Sequence, residues 1–225
     1  MSKVSVVLPC LNEERGVGIC INKIKEVFHN ESIDGEIIIV DNGCTDNTID
    51  VVKSFNLGNI TVVNEPKKGY GNAYRAGFKH VGGDIIIMGD ADNSYDFYDI
   101  PRFLDSIKSA DFVTGHRKVM KKGSMPFLHK YIGKPMFSFI LRRFFNINVS
   151  DSHCGFGAIK KEALEKLELR SSGMEFASEI LIKAKRNNLN IREIPIVYSP
   201  RIGKSKLRTF RDGARHLKLI LKQAV

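Results

Sequence analysis

The feature that most constrains this chain is the alternation of short, mostly apolar runs with segments of helical spacing. Residues 4–8, 36–40, 60–64 and 84–88 have strand length and read as buried strands. Between them, Val17, Cys20, Ile21, Ile24, Val27 and Phe28 recur at helical intervals. Helices are expected again over residues 48–55, 70–80 and 100–109, and a short strand over 111–114. Strand–helix alternation of this kind builds a parallel sheet with crossover helices on both faces. The pattern loosens after residue 115. It resumes with a strand over 155–159, helices over 161–167 and 175–186, and a strand over 191–198. A C-terminal helix is expected over 209–225, where Phe210, Ala214, Leu217, Ile220 and Leu221 share a face opposite Arg211, Arg215, Lys218 and Lys222. The expected fold is therefore α/β, a mostly parallel sheet sandwiched by helices. The boundaries are a catalytic domain over 1–208 and a basic amphipathic helix over 209–225.

Ligands of an open parallel sheet bind beyond the carboxyl ends of its strands. Three such ends carry acids here: Glu13 and Glu14 after the first strand, Asp41 and Asp46 after the second, Asp90 and Asp92 after the fourth. Neighbouring carboxylates repel one another unless a cation joins them, and oxygen-only ligands suit Mg²⁺ or Mn²⁺. Asp41 and Asp46 could equally cap the helix that follows. Asp90-Ala91-Asp92 directly follows the run Ile85-Ile86-Ile87-Met88 and points more firmly to a metal or nucleotide. Neither G-x-G-x-x-G nor G-x-x-x-x-G-K-[ST] occurs at the strand ends, which disfavours dinucleotide-binding and P-loop sites.

Charge adds a second constraint. The 225 residues carry +10, unevenly: residues 112–150 hold eight Lys/Arg and no acid, and residues 200–225 hold eight more against Asp212. Two basic segments on a mildly acidic body imply an anionic partner. In the first, Lys121, Lys122, Lys130 and Lys134 interleave with Phe127, Tyr131, Met136, Phe137 and Phe139. Such a stretch suits an anionic membrane surface, and the same apolar residues would also serve a helical core. Nucleic acid is the weaker alternative: the aromatics form no recognisable RNA module, and acidic strand ends would repel a phosphate backbone. Four cysteines without a C-x-x-C pair suggest a reducing compartment. No run approaches the length of a membrane span, and the N-terminus lacks a signal-peptide layout.

The segments Val4-Ser5-Val6-Val7-Leu8-Pro9 with Asn12-Glu13, Val40-Asp41-Asn42-Gly43-Cys44-Thr45-Asp46 and Gly89-Asp90-Ala91-Asp92 resemble the inverting family-2 glycosyltransferases of glycosyltransferase-A fold. Later segments narrow the likeness. Gly115-His116-Arg117, Asp151-Ser152-His153-Cys154-Gly155-Phe156, Glu193-Ile194-Pro195 and Gly203-Lys204-Ser205-Lys206-Leu207 resemble the polyprenyl-phosphate hexose synthases, of which dolichyl-phosphate mannose synthase is one branch.

The resemblance implies inverting transfer of a hexose from UDP-glucose or GDP-mannose to a polyprenyl (dolichyl or undecaprenyl) phosphate at the cytosolic face of a membrane. The protein would be peripheral or anchored there, with a second copy or a transmembrane partner as further associates. By the same likeness Pro9, Leu11, Glu13, Val40, Asp41 and Asn42 line the nucleotide, and Asp90 and Ala91 contact the ribose and sugar side. Asp92, with Asp90, holds the metal; Arg117 sits near the phosphates, and Lys206 neutralises the leaving diphosphate. His129, Arg201 and Lys204 fall to the acceptor phosphate. Asp92, Arg117 and Asp151 are the expected catalytic group.

The chain departs from the pattern at Leu11, where an aromatic is common, and at Asn42, where an acid is common. Ser94 and Glu175 also differ from particular branches. A phosphate acceptor, largely ionised at pH 7, needs no strong general base. A saccharide hydroxyl, the alternative acceptor, would need one, and Asp151, Glu175 and Glu179 are available.

Overall fold

The computed structural model describes residues 2–127, 129–203 and 209–224. Seven strands form one sheet: β1 (Val4–Cys10), β2 (Gly35–Asp41), β3 (Ile60–Asn64), β4 (Ile85–Met88), β5 (Phe112–Met120), β6 (Gly157–Lys160) and β7 (Ile191–Tyr198), in the order β3-β2-β1-β4-β6-β5-β7. The pairs β1–β2, β1–β4, β2–β3 and β5–β7 are parallel, and only β6 runs antiparallel to its neighbours β4 and β5. The helices are α1 (Val17–Asn30), α2 (Thr48–Ser54), α3 (Tyr70–Gly77), α4 (Ile100–Ile107), α5 (Lys134–Phe145), α6 (Lys161–Glu165), α7 (Phe176–Arg186) and α8 (Thr209–Ala224).

Side chains alternate across a strand, so each apolar run feeds two cores. Val6, Leu8, Ile37 and Ile39 pack with Ile21, Ile24, Phe97, Phe103 and Phe156 on one face. Val7, Ile38 and Val40 pack with Tyr74, Leu141, Phe176 and Ile180 on the other. Fully burying each such Ile or Phe contributes about 1.5–3 kcal/mol, which explains why strands this apolar settle in the middle of the sheet.

The structure corrects the sequence reading at three places. The fifth strand runs on to Met120 because Gly115, His116 and Arg117 pair with β7, and Val119 and Met120 rejoin it past a bulge at Lys118. The basic stretch contains a helix, α5, entered from the π-helical turn His129–Gly133, with Phe137 and Leu141 in the core. In α8 the expected apolar face is only partly buried. His216 and Ile220 are buried and Arg215 is half-buried, while Ala214, Leu217 and Leu221 face solvent. Phe210 lies outside the described side chains.

Candidate active site at the strand ends

The parallel register brings the predicted ends together. Cys10 pairs with Asp41, and Val7 pairs with Met88, so the Asp41 turn and the Asp90–Asp92 loop flank the end of β1. The loop after β1 and the loop after β2 latch to each other. The amide of Thr45 donates to Asn12 Oδ1 (2.7 Å), and Glu13 N donates to Thr48 Oγ1 (2.8 Å). Asn12 sits at φ 58°, a conformation Asn tolerates better than most residues. Asp41 Oδ1 accepts from Gly43 N and Cys44 N, so one of its oxygens builds the turn. Asp46 accepts from the amide and hydroxyl of Thr48, a cap of α2.

Asn42, the next residue of the turn, bonds to the loop before α3. Its Nδ2 donates to Glu65 O (2.9 Å) and Lys67 O (3.0 Å), and its Oδ1 accepts from Gly69 N (2.7 Å). It holds the loop before α3 in place. Val40 is fully buried in the core beneath, so it bounds the site by its backbone alone. Ala91 is buried against α1: a Cβ on Gly16 would meet Ala91 O at 2.6 Å. Pro9, Leu11 and Glu13 remain partly exposed along the rim.

Asp92, 3% exposed, accepts from Ser94 N through Oδ1 (2.9 Å) and faces Arg201 Nη1 through Oδ2 (3.2 Å). Ile202 N donates to Asp92 O (2.8 Å), so the strap after β7 lies across this loop. Asp90 Oδ1 accepts from Tyr70 Oη (3.0 Å). Burial pushes the Asp90 carboxyl up to about 7, with the charge of Asp92 adding to the rise and Arg201 opposing it. Among the described residues, Arg201 is the cation that acts on both carboxylates.

Among the described residues no three His, Cys, Asp or Glu converge as a metal cage. The donor set nonetheless fits a divalent cation of the Mg²⁺ or Mn²⁺ kind, which is typically held by one or two carboxylates and completed by ligand phosphates and water. Asp90 and Asp92 are the residues that would hold it.

Beside this pair lies a second ionic cluster. Asp151, fully buried, receives Arg117 Nε and Nη2 at 2.7 Å each and Lys134 Nζ at 3.4 Å. Burial would raise the Asp151 carboxyl, but the Arg117 charge and hydrogen bonds, with Lys134, hold it at about 2. The cluster therefore carries one net positive charge. Glu193 fixes its approach by accepting from Ser150 N and Asp151 N, and the Arg117 guanidinium lies 5.1 Å from the Tyr198 ring centre.

Arg201 is thus brought to the carboxylate pair, whereas Arg117 is turned into Asp151. Lys204, Lys206 and the His129 side chain lie outside the described residues. Sequence reasoning missed Tyr70, for which Lys68-Gly69-Tyr70-Gly71 was a faint signal. It also passed over His153 and the inward side of α8.

Comparison with known proteins agrees with this architecture. The model for glycosyl transferase family 2 matches residues 5–168. A low-salt glycan biosynthesis hexosyltransferase of Haloferax volcanii, Agl6, is 41% identical over 98% of this chain; the chain spans about half, 54%, of that relative. A dolichyl-phosphate hexose transferase of the same organism is 29% identical, over 97% of this chain and 92% of its own. A dolichol-phosphate mannosyltransferase of Pyrococcus furiosus is 30% identical, over 98% and 64%. In fold, the chain superposes on glucosyl-3-phosphoglycerate synthase from Mycobacterium tuberculosis with a TM-score of 0.78 at 20% identity, covering 99% of this chain and 80% of that one. With the sheet order, the rim carboxylates and the family match in hand, the chain is a glycosyltransferase of family 2 with the glycosyltransferase-A fold.

Proposed function

We propose that the protein transfers a hexose, with inversion, from a nucleotide-diphosphate sugar of the UDP-glucose or GDP-mannose kind to a polyprenyl phosphate. The observation that carries the acceptor class is the state of the three carboxylates that could have served as base. Asp151 is saturated by Arg117 and Lys134. Glu179 accepts from Arg170 N and Ser171 N and pairs with Lys183. Glu175 Oε1 accepts from Gly173 N and Arg215. A phosphate nucleophile, already ionised near neutrality, does without such a base. Relatives named for dolichyl phosphate support the same acceptor.

In the reaction an acceptor phosphate oxygen attacks the anomeric carbon as the bond to the donor diphosphate breaks, and the departing diphosphate gains negative charge. A divalent metal, when bound, supplies positive charge to that group. Asp90 and Asp92 would hold it, with Pro9, Leu11, Glu13 and the Asp41 turn bordering the nucleotide. Arg201 and the net cation of the Arg117–Asp151–Lys134 cluster add to the field felt by the phosphates. Lys206, Lys204 and His129 keep the phosphate roles assigned from the resemblance. The exposed apolar residues of α5 and α8 among lysines and arginines support a peripheral site of action on an anionic, cytosol-facing leaflet.

The test supplies UDP-glucose and GDP-mannose with Mn²⁺ or Mg²⁺, and polyprenyl phosphate alongside soluble saccharides. Lipid-linked product should form only with metal, and Asp92→Ala should lower turnover by at least about a hundredfold. Full transfer by that variant, or transfer to saccharides alone, would overturn the proposal. One observation favours the hydroxyl reading: Glu175 Oε2 is buried without a hydrogen-bond partner among the described residues. If that reading held, Glu175→Gln would abolish saccharide transfer.

A further inference from the structure

We infer that Arg215 and His216, neighbours on α8, are positioning residues that hold from behind the two loops enclosing Asp90. The first loop is residues 151–155. It begins at Asp151, which grips Arg117, and ends at Gly155, which is so close to the rim that a Cβ there would stand 2.6 Å from Tyr70 Oη and 3.2 Å from Asp90 Oδ2. Midway, His153 Nε2 lies 3.2 Å from His216 Nδ1, and His153 Nδ1 lies 2.9 Å from Ser152 Oγ. The same His216 Nδ1 is 2.8 Å from Ser178 Oγ on α7, and Phe137 of α5 packs on both imidazoles. His216 therefore joins the loop to two helices at once.

The second loop is residues 171–175. Its Ser171 and Ser172 carbonyls press on the start of α3: a Cβ on Gly71 or Gly69 would meet them at 2.2 Å and 2.1 Å. Asn72 N donates to Ser172 O (3.2 Å). This contact orients the turn that carries Tyr70, the hydrogen-bond donor to Asp90. Arg215 Nη2 reaches the loop from outside, donating to Ser172 Oγ (2.8 Å) and Glu175 Oε1 (3.0 Å).

A helix that only covered a core would bury its leucines. This one buries Ile220 in the core but beside it buries a histidine at 4% exposure and half-buries an arginine, while Leu217 and Leu221 stay in solvent. Burying polar groups is unfavourable unless their bonds are specific. Here both sets of bonds end on segments in contact with the Tyr70–Asp90 pair, so the geometry of the carboxylates depends on the docking of α8. Displacements of an ångström at a reacting centre can lower turnover by about a hundredfold.

The inference deepens the proposed function in that it takes Asp90 and Asp92 as the reacting centre. Its first readout is independent of activity. In the full chain, Arg215→Ala should speed amide exchange at Asn72 by about tenfold or more, and His216→Ala should do so at Gly155, whose amide donates to Tyr95 Oη. Neither amide touches α8. Arg215→Lys should recover part of the protection. Assayed well below their melting points, both alanine variants should lose about tenfold or more in kcat with donor KM within about threefold.

Unchanged exchange at Asn72 and Gly155 in folded variants would overturn the inference, as would a lowered melting point with normal kcat. Should the alanine variants not fold, Arg215→Lys and His216→Gln carry the same two readouts. A wild type without sugar transfer to any acceptor would remove the proposed function, while the exchange data would still decide the role of α8.

Discussion

Asp151 answers to three donor groups of two cations, and so the effect of its loss can be stated in advance. Asp151→Asn removes the charge and leaves the Arg117 guanidinium buried with a weaker partner. The expected cost is about 3–5 kcal/mol, read from urea unfolding. Replacing all three ions, Arg117→Met and Lys134→Met with Asp151→Leu, should return much of that stability and none of the activity, which separates the structural from the chemical role of the cluster. His216 gives a pH signature. Burial pushes it from the ordinary 6.5 down to about 4, with Glu175 and Asp212 opposing and Arg215 assisting. The unfolded chain then binds the proton more readily, so this contribution to stability is complete above pH 6.5 and is lost as pH falls toward 4, by up to about 3 kcal/mol. Asp90, held high, works in the opposite sense over the same range but is common to wild type and variant. The melting point of His216→Gln should therefore fall less between pH 7.5 and pH 5 than that of wild type; an equal fall would refute the assignment. Asp90 and Asp92 were legible in the sequence because two acids directly after a four-residue apolar run have nowhere to go but the sheet rim. His216 and Arg215 were not, because their partners lie 63 and 40 residues away and nothing local marks them.

Two glycines test how closely the elements around the site are fitted. Gly71 opens α3 where the Ser171 carbonyl leaves no room for a methyl group, so Gly71→Ala must move the 171–172 backbone and should cost about 1–3 kcal/mol. Gly213 lies in α8 with nothing within 4 Å of a Cβ, and Gly213→Ala should stabilise by roughly 0.5–1 kcal/mol through helix propensity alone. Urea midpoints moving in opposite directions would bear this out; two shifts of the same sign would not. The same closeness explains which elements sequence periodicity found. β1, β2 and β4 are read directly, since strands buried on both faces are apolar throughout. The direction of β6 is not, because Gly157–Lys160 reads alike forwards and backwards and its reversal is set by the connection through α5. Of the inward face of α8, periodicity marks Ile220 and not His216 or Arg215, for a related reason. Hydrophobicity marks which side of a helix avoids water, and here polar residues are buried by specific hydrogen bonds.

At the scale of the whole molecule, the two basic segments that the sequence set apart come together as α5 and α8, which pack on each other and on α7. Phe139 and Phe144 on α5, at 67% and 60% exposure, and Leu217 and Leu221 on α8 stand in solvent among Arg142, Arg143, Lys218 and Lys222. Between the C-terminal ends of these helices and α7 opens a cleft of about 520 Å³, lined by Arg143, Lys185, Arg186 and Phe144 and, among the described residues, by no acid. Among the described residues no helix is long and apolar enough to cross a membrane. The basic, apolar-studded surface of α5 and α8 is where the proposed contact with lipid is tested. Each basic residue near an anionic leaflet adds about 1 kcal/mol, and screening by salt weakens that part while leaving apolar insertion intact. Sedimentation with vesicles of phosphatidylglycerol mixed into phosphatidylcholine should therefore carry down the protein, with less bound as salt rises, and pure phosphatidylcholine should bind little. Phe139→Glu and Leu221→Glu should each weaken vesicle binding about tenfold or more, because each removes an inserted side chain worth about 1.5–3 kcal/mol. Neither side chain belongs to the strand-end site, so nucleotide-sugar binding in solution should be unchanged in both variants. Equal binding to neutral and anionic vesicles, or charge-bearing variants that sediment like wild type, would show that this face does not meet lipid.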